Sequence, residues 1–223
     1  KRNKITKEYI EILKSENLDF LFFTHQRPPY IAPLISAAKQ LKIKNGTFVF
    51  SWDNLASKGR MVSNFDFYLV WSDLMKNELL EFYQGVNSPQ IRIVGTPQSE
   101  PYVYNKFGLN KSELYNMFQI NEELAVILFT CNDSSSVNDP IYLDKLAQFI
   151  TENKLASKVN LIVRTSPVED PLRFESIKNK YSFIKWNYPF WTLTRNSHQE
   201  SWTQRIPSIE DVDVLKSLLM YSD

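Results

Sequence analysis

Apolar positions along the chain switch between helical spacing and short continuous runs. Residues 5–16 place Ile5, Tyr9, Ile10 and Leu13 on one helical face, and residues 30–42 do the same with Ile31, Leu34, Ile35, Ala38 and Leu41. Between them DFLFFTH (19–25) is a nearly unbroken apolar run, the pattern of a strand buried on both faces. TFVFSW (47–52), FDFYLVW (65–71) and QIRIVGT (90–96) predict three more strands, with a helix over 73–83 that Asp73 opens favourably for the helix dipole.

The pattern then restarts. A short helix is predicted over 111–119, a strand over AVILFTC (125–131), and a helix over 139–154 with Pro140 in its first turn. NLIVRTS (160–166) and SFIKW (182–186) read as strands separated by a helix over 171–180. A last helix spans 208–222, with Ser208 as N-cap and Asp211 three positions on, close to a capping box. Strands alternating with helices predict parallel sheets, and so an α/β fold of two Rossmann-like units, 1–105 and 106–223. The hinge is expected near 97–112, where PQSEPYVYNKFGLN breaks the alternation. The second unit has few strands for a doubly wound sheet and is expected to be incomplete at its C-terminus. Residues 187–207 show no clear period; Pro189, Trp191 and Trp202 make them either a ligand-stacking loop or an irregular loop pinned by buried aromatics.

Composition narrows the function classes. The chain has 223 residues, enough for one large domain or two small ones, and a net charge of +1 leaves no electrostatic footprint for nucleic acid. No apolar run approaches the ~18 residues of a membrane span, and no signal peptide is visible. The single Cys131 excludes an intrachain disulfide and fits a reducing compartment. With 5 glycines there is no GxGxxG or P-loop, and with His25 and His198 alone no histidine-based metal site is expected.

In parallel α/β sheets ligands bind beyond the carboxyl ends of strands, so the residues that follow each strand are the candidates. His25 and Arg27 follow the first strand. His25 has the ordinary pKa of a general base, or is a lone loop histidine. Asp53, Asn54 and Lys58 follow the second; Asp53 either orients a hydroxyl or caps the turn, and Lys58 either contacts an anion or closes the turn. Gly95 and Thr96 follow the fourth. Thr130, Asn132 and Ser134 follow the first strand of the second unit, where backbone N–H groups and hydroxyls ahead of a helix can hold a pyrophosphate. Arg164 and Ser166 follow the next, where a guanidinium can clamp phosphate at two points or pair with Glu169 or Asp170.

Three stretches carry a resemblance. SWDNLASKG (51–59), FDFYLVWSDLMKNELLEFY (65–83) and IRIVGTPQSEPY (91–102) resemble the N-terminal half of bacterial surface-polysaccharide glycosyltransferases of GT-B architecture. They are similar, more distantly, to the glycerophosphotransferases that build teichoic acids. LAVILFTCND (124–133) resembles the first strand of such a family's donor domain, and SWTQRIPSIEDVDVLKSLLMYSD (201–223) its approach to the donor loop. LIVRTSPVEDPLRFESI (161–177) keeps Arg164 and Pro167 but has Ser166 where the family carries histidine.

The resemblance implies transfer of a sugar from a nucleotide-sugar donor to a hydroxyl of a glycan or lipid-linked acceptor. The first unit would be the acceptor side and the second the donor side. Arg164 and the Thr130–Ser134 loop would stabilise phosphate charge, with Gly95, Thr96 and Ser166 contributing donors. His25 and Asp53 would activate the acceptor, and Arg27, Asn54 and Lys58 would bind it. No metal and no cofactor beyond the nucleotide-sugar co-substrate is implied. Two other readings share the scaffold: a non-catalytic polysaccharide-assembly protein, and a nucleotide-sugar epimerase. A cytoplasmic location, with peripheral contact at the inner face of a membrane, is expected.

Overall fold

Helix α1 (Arg2–Glu16) leads into β1 (Phe20–Phe23), and the alternation continues with α2 (Ile31–Gln40), β2 (Lys44–Phe48), β3 (Phe67–Val70), α3 (Asp73–Phe82) and β4 (Ile91–Ile93). The computed structural model describes residues 2–104, 106–133, 135–193 and 205–223. These fall into two units, Lys1–Gln98 and Ser99–Asp223. In the first, the four strands are all parallel and lie in the order β1-β2-β3-β4.

Register and the two-residue period sort that sheet's side chains. Phe23, Thr47, Tyr68, Val70 and Ile91 face one way, and Phe23, Tyr68, Val70 and Ile91 pack with Ile31 and Ile35 of α2 and Met75 and Leu79 of α3. Phe20, Phe22, Gly46 and Phe67 face the other way, where the three phenylalanines stay 43%, 46% and 40% exposed. Gly46 is needed between them: a Cβ there would lie 2.9 Å from the Phe20 ring.

The second unit runs α4 (Glu100–Val103), α5 (Lys111–Phe118), β5 (Ala125–Thr130), α6 (Asp139–Glu152), β6 (Val159–Arg164) and α7 (Glu175–Lys180). It continues through β7 (Lys185–Asn187), β8 (Trp191–Leu193), β9 (Arg205–Pro207) and α8 (Ile209–Tyr221). Strands β5-β6-β7 form a parallel sheet covered on both faces. Leu143, Ala147 and Ile150 of α6 and Ile177 of α7 pack on Leu161 and Val163. Leu114, Tyr115 and Phe118 of α5 and Val214 and Leu218 of α8 pack on Val126 and Ile162. The α/β class with two Rossmann-like units is therefore present as the alternation predicts. Among the described residues no helix is long and apolar enough to cross a membrane.

Elements differ from the sequence pattern in their bounds: the strand predicted over 182–186 is β7, Lys185–Asn187. The second strand is predicted from Thr47 but begins at Lys44, because its polar residues are buried with partners. Asn45 donates its backbone and side-chain N–H groups to Asp66 at 2.9 and 2.8 Å, and the Thr47 hydroxyl donates to the Phe23 carbonyl. The stretch 187–207, read as aperiodic, contains the antiparallel pair β8–β9. Three residues per strand are too few to establish an alternation.

Candidate functional site

At the carboxyl ends of β1 and β2 the loops are joined through one buried amide. Gln26 donates Nε2–H to Asn54 Oδ1 at 3.0 Å, and Asn54 donates Nδ2–H to Asp53 Oδ1 at 3.3 Å. Asp53 also accepts from the Ser51 hydroxyl at 2.6 Å and pairs with Lys58 at 3.3 Å. The Ser51 hydrogen bond, with Lys58 behind it, holds the Asp53 carboxyl below its ordinary pKa. His25 packs its ring on Phe50, centroids 4.5 Å apart, and its Nδ1 accepts the Arg27 backbone N–H at 3.1 Å. Burial, and then the Arg27 charge, lower its pKa, so the neutral ring carries its proton on Nε2. Thus His25 and Asp53 are brought to adjoining strand exits, yet each has its basic atom engaged. Gln26 and Ser51, which bind this network together, carried no signal in the sequence beyond polarity at a strand end, and Phe50 only that of an apolar strand residue. Gly95 follows β4 with a positive φ of 78° and nothing crowding it, and Thr96 leads into the 3-10 turn Pro97–Ser99.

In the second unit Thr130, Arg164 and Asn187 end three neighbouring strands side by side. Thr130 is exposed. Arg164 is not: its Nη1 donates to Asn187 Oδ1 at 2.5 Å and to Asp211 Oδ1 at 3.1 Å, and its Nη2 to Asp211 Oδ2 at 2.7 Å. Asp211, 2% exposed, also accepts from the Phe190 backbone N–H and the Trp191 indole N–H. Ser208 caps α8 as its sequence indicates, accepting the Asp211 N–H, while the Asp211 carboxylate turns to Arg164 instead of closing a capping box. The partner expected for Arg164, Glu169 or Asp170, is thus replaced by a residue 47 positions away. Half-buried Tyr102 lies close enough to feel both charges, and burial raises its pKa.

The loop after β5 closes on itself. The Asn132 backbone N–H donates to Asp139 Oδ2 at 2.7 Å, the Asp133 N–H to Asn132 Oδ1, and the Ser135 N–H to Asp133 Oδ1. The Ser136 hydroxyl donates to Asp139 Oδ1 at 2.8 Å. These N–H groups are therefore not an open cradle. What the loop presents outward is the side chains of Thr130, Asn132 and Ser135. Ser134 lies outside the described residues. Ser166 is buried and its Oγ accepts the Val168 N–H at 3.4 Å. Cys131, on the opposite face of the strand end from Thr130, has its thiol pushed up to about 12 by burial, then by Asp139.

The edge of β5 away from β6 is occupied as well. The Val126 N–H donates to Asp223 Oδ2 at 2.8 Å and its carbonyl accepts the Asp223 N–H at 3.0 Å. The chain therefore passes from β7, on one side of β5, to the other side of it by residue 223. The carboxyl end of β5, where open α/β sheets place their ligands, lies at the other end of the strand from the Asp223–Val126 contact.

Comparison with known proteins is consistent with this geometry at the level of fold. No family model and no curated protein matches the chain. Among solved structures, a putative UDP-N-acetylglucosamine 2-epimerase from Listeria monocytogenes aligns with 99% of this chain and 55% of its own, at 12% identity and a TM-score of 0.55. The chain shares that structure's fold. The Neisseria meningitidis UDP-GlcNAc 2-epimerase bound to UDP-GlcNAc covers 84% of this chain and 54% of its own, at 16% identity and a TM-score of 0.47. The S. aureus MnaA–UDP structure covers 85% and 52%, at 14% identity and 0.47. The chain thus spans about half the length of these proteins.

Sequence reasoning missed Asp211, Asn187, Asp139 and Arg173, which arrange the strand ends. Asp211 is visible only as a helix-start acid, and Arg173 only as the fourth residue after Glu169.

Proposed function

We propose that the protein is an enzyme acting on a nucleotide-activated sugar. Its second unit holds the nucleoside diphosphate at the carboxyl end of β5. The C2–H proton of the sugar is removed from one face and a proton is returned to the other, so that reactant and product are both nucleotide sugars. The observation that carries this reading is the set of exposed Thr130, Asn132 and Ser135 side chains where β5 ends ahead of α6. The fold shared with the Listeria structure supports the same class of ligand. Thr130 and Asn132, with Ser134, are the proposed hydrogen-bond donors to the diphosphate. Arg164 is left out of that role because Asp211 and Asn187 hold it. Ser166 is proposed only as lining. In the first unit, Arg27 and the Gln26–Asn54–Asp53–Lys58 network are proposed as a polar surface of that unit.

Rearrangement is placed ahead of transfer because the solved structure whose fold the chain shares is a putative UDP-N-acetylglucosamine 2-epimerase. For either reaction the first unit's candidates for proton transfer are engaged. His25 Nδ1 is taken by the Arg27 N–H, and the Ser51 hydroxyl and Lys58 hold Asp53 as an engaged carboxylate. Sugar transfer to a glycan is the second reading, favoured by the SWDNLASKG and IRIVGTPQ stretches.

One assay separates them. The purified chain is incubated with UDP-GlcNAc, with and without glycan acceptors, and followed by proton and phosphorus NMR. A second UDP-sugar formed without acceptor is the expected result. Release of UDP only when an acceptor is present supports transfer, and tight binding with no turnover supports a non-catalytic assembly role. Absence of any nucleotide-sugar binding overturns the proposal.

A further inference from the structure

One side chain outside the β5–α6 loop holds both of its ends. Arg173 lies in the 3-10 turn Pro171–Phe174 that precedes α7. Its Nη2 donates to the Asn132 carbonyl at 2.9 Å and its Nη1 to the Ser136 carbonyl at 3.3 Å. The same guanidinium pairs with Glu169 at 3.0 Å and with Asp139 at 3.5 Å, and it sits 4.8 Å from the centre of the Phe174 ring. Its three hydrogen-bond acceptors belong to the loop and to the first turn of α6, and its ion-pair partner Glu169 to the segment after β6. Only a planar fork of N–H groups can span them together; an ammonium presents its three donors from a single point.

Two consequences follow for a ligand at the end of β5. The carbonyls of Asn132 and Ser136 are drawn toward Arg173, which fixes the loop's path between them and so the direction of the exposed Asn132 and Ser135 side chains. Arg173 also places a positive charge 3.5 Å from Asp139 and 3.0 Å from Glu169, beside the place proposed for a phosphate. In the sequence this residue shows only as an i,i+4 partner of Glu169.

We propose that Arg173 is the positioning residue of the β5–α6 loop: it fixes the loop in the form that receives the nucleoside diphosphate and offsets the acids beside it, acting through the loop and not on the ligand. This rests on the reading that places the nucleotide at β5.

The test uses Arg173→Lys, which keeps the charge and loses the fork, and Arg173→Gln, which loses both. Three quantities are measured: amide hydrogen exchange without ligand, affinity for UDP by calorimetry, and the thermal midpoint. Each lost charge-assisted hydrogen bond is worth about a tenfold change, so R173K is expected to speed exchange at Asn132, Asp133, Ser135 and Ser136 about tenfold and weaken UDP about tenfold. R173Q is expected to weaken UDP further, and Lys180→Gln, which breaks the exposed Lys180–Asp144 pair, to change neither quantity. Unchanged loop exchange in both Arg173 variants overturns the proposal. So does faster exchange spread equally over α6 and α7 with a collapsed midpoint, which is a general structural role. If the unaltered chain binds no UDP, the nucleotide reading fails; exchange in the absence of ligand still decides whether Arg173 sets the loop.

Discussion

A guanidinium buried between a carboxylate and an amide is held by the fold, and losing it strands the charge it was paired with. Arg164 is in that position, with Asp211 bidentate against it and Asn187 beside it. Removing one partner of a buried ion pair costs about 3–5 kcal/mol, so Arg164→Ala should lower the stability of the second unit by about that much in urea denaturation. A variant as stable as the parent but unable to bind UDP would instead return Arg164 to the phosphate role that its strand-end position suggests. The sequence makes Arg164 legible as a strand-end cation, since β6 is a clean apolar run that stops at it. It does not make Asp211 legible as the partner, because the pairing depends on how α8 docks, and a helix-start acid is already explained by the dipole. The same holds for His25 and Asp53. Their place at strand exits is readable, but the Arg27 N–H, Ser51 and Lys58 that engage them are known only once the loops have folded.

At the scale of elements, strand and helix order follows from periodicity because burial on both faces or on one stripe dictates it. The exceptions have a common cause: polar residues that satisfy each other inside the core. Lys44–Gly46 looks like a loop, yet Asn45 and Thr47 bond to Asp66 and Phe23 and make it the first three residues of β2. The caps are more legible. Asn110 accepts the Glu113 N–H at 2.9 Å and Glu113 returns the bond to the Asn110 N–H, a complete capping box ahead of α5. Asn110→Ala should destabilise the second unit by about 1 kcal/mol, read as a shift in the urea midpoint with unchanged slope. No shift would mean that α5 is held by Leu114, Tyr115 and Phe118 alone.

At the scale of the whole molecule, the two units present their sheets differently. Helices α5 and α8 cover one face of the second sheet and α6 and α7 the other. In the first unit α2 and α3 cover one face, and Phe20, Phe22 and Phe67 remain partly exposed on the other. The ligand proposed for the second unit rests on the exposed polar side chains at the carboxyl end of β5. The central claim is that a nucleoside diphosphate sits at the end of β5. Amide hydrogen exchange of the chain with and without saturating UDP tests it most directly. Protection is expected across residues 130–136 of the second unit, with residues 25–27 and 51–58 of the first unchanged. Protection confined to those first-unit loops, or none in either unit at saturating UDP, would contradict it.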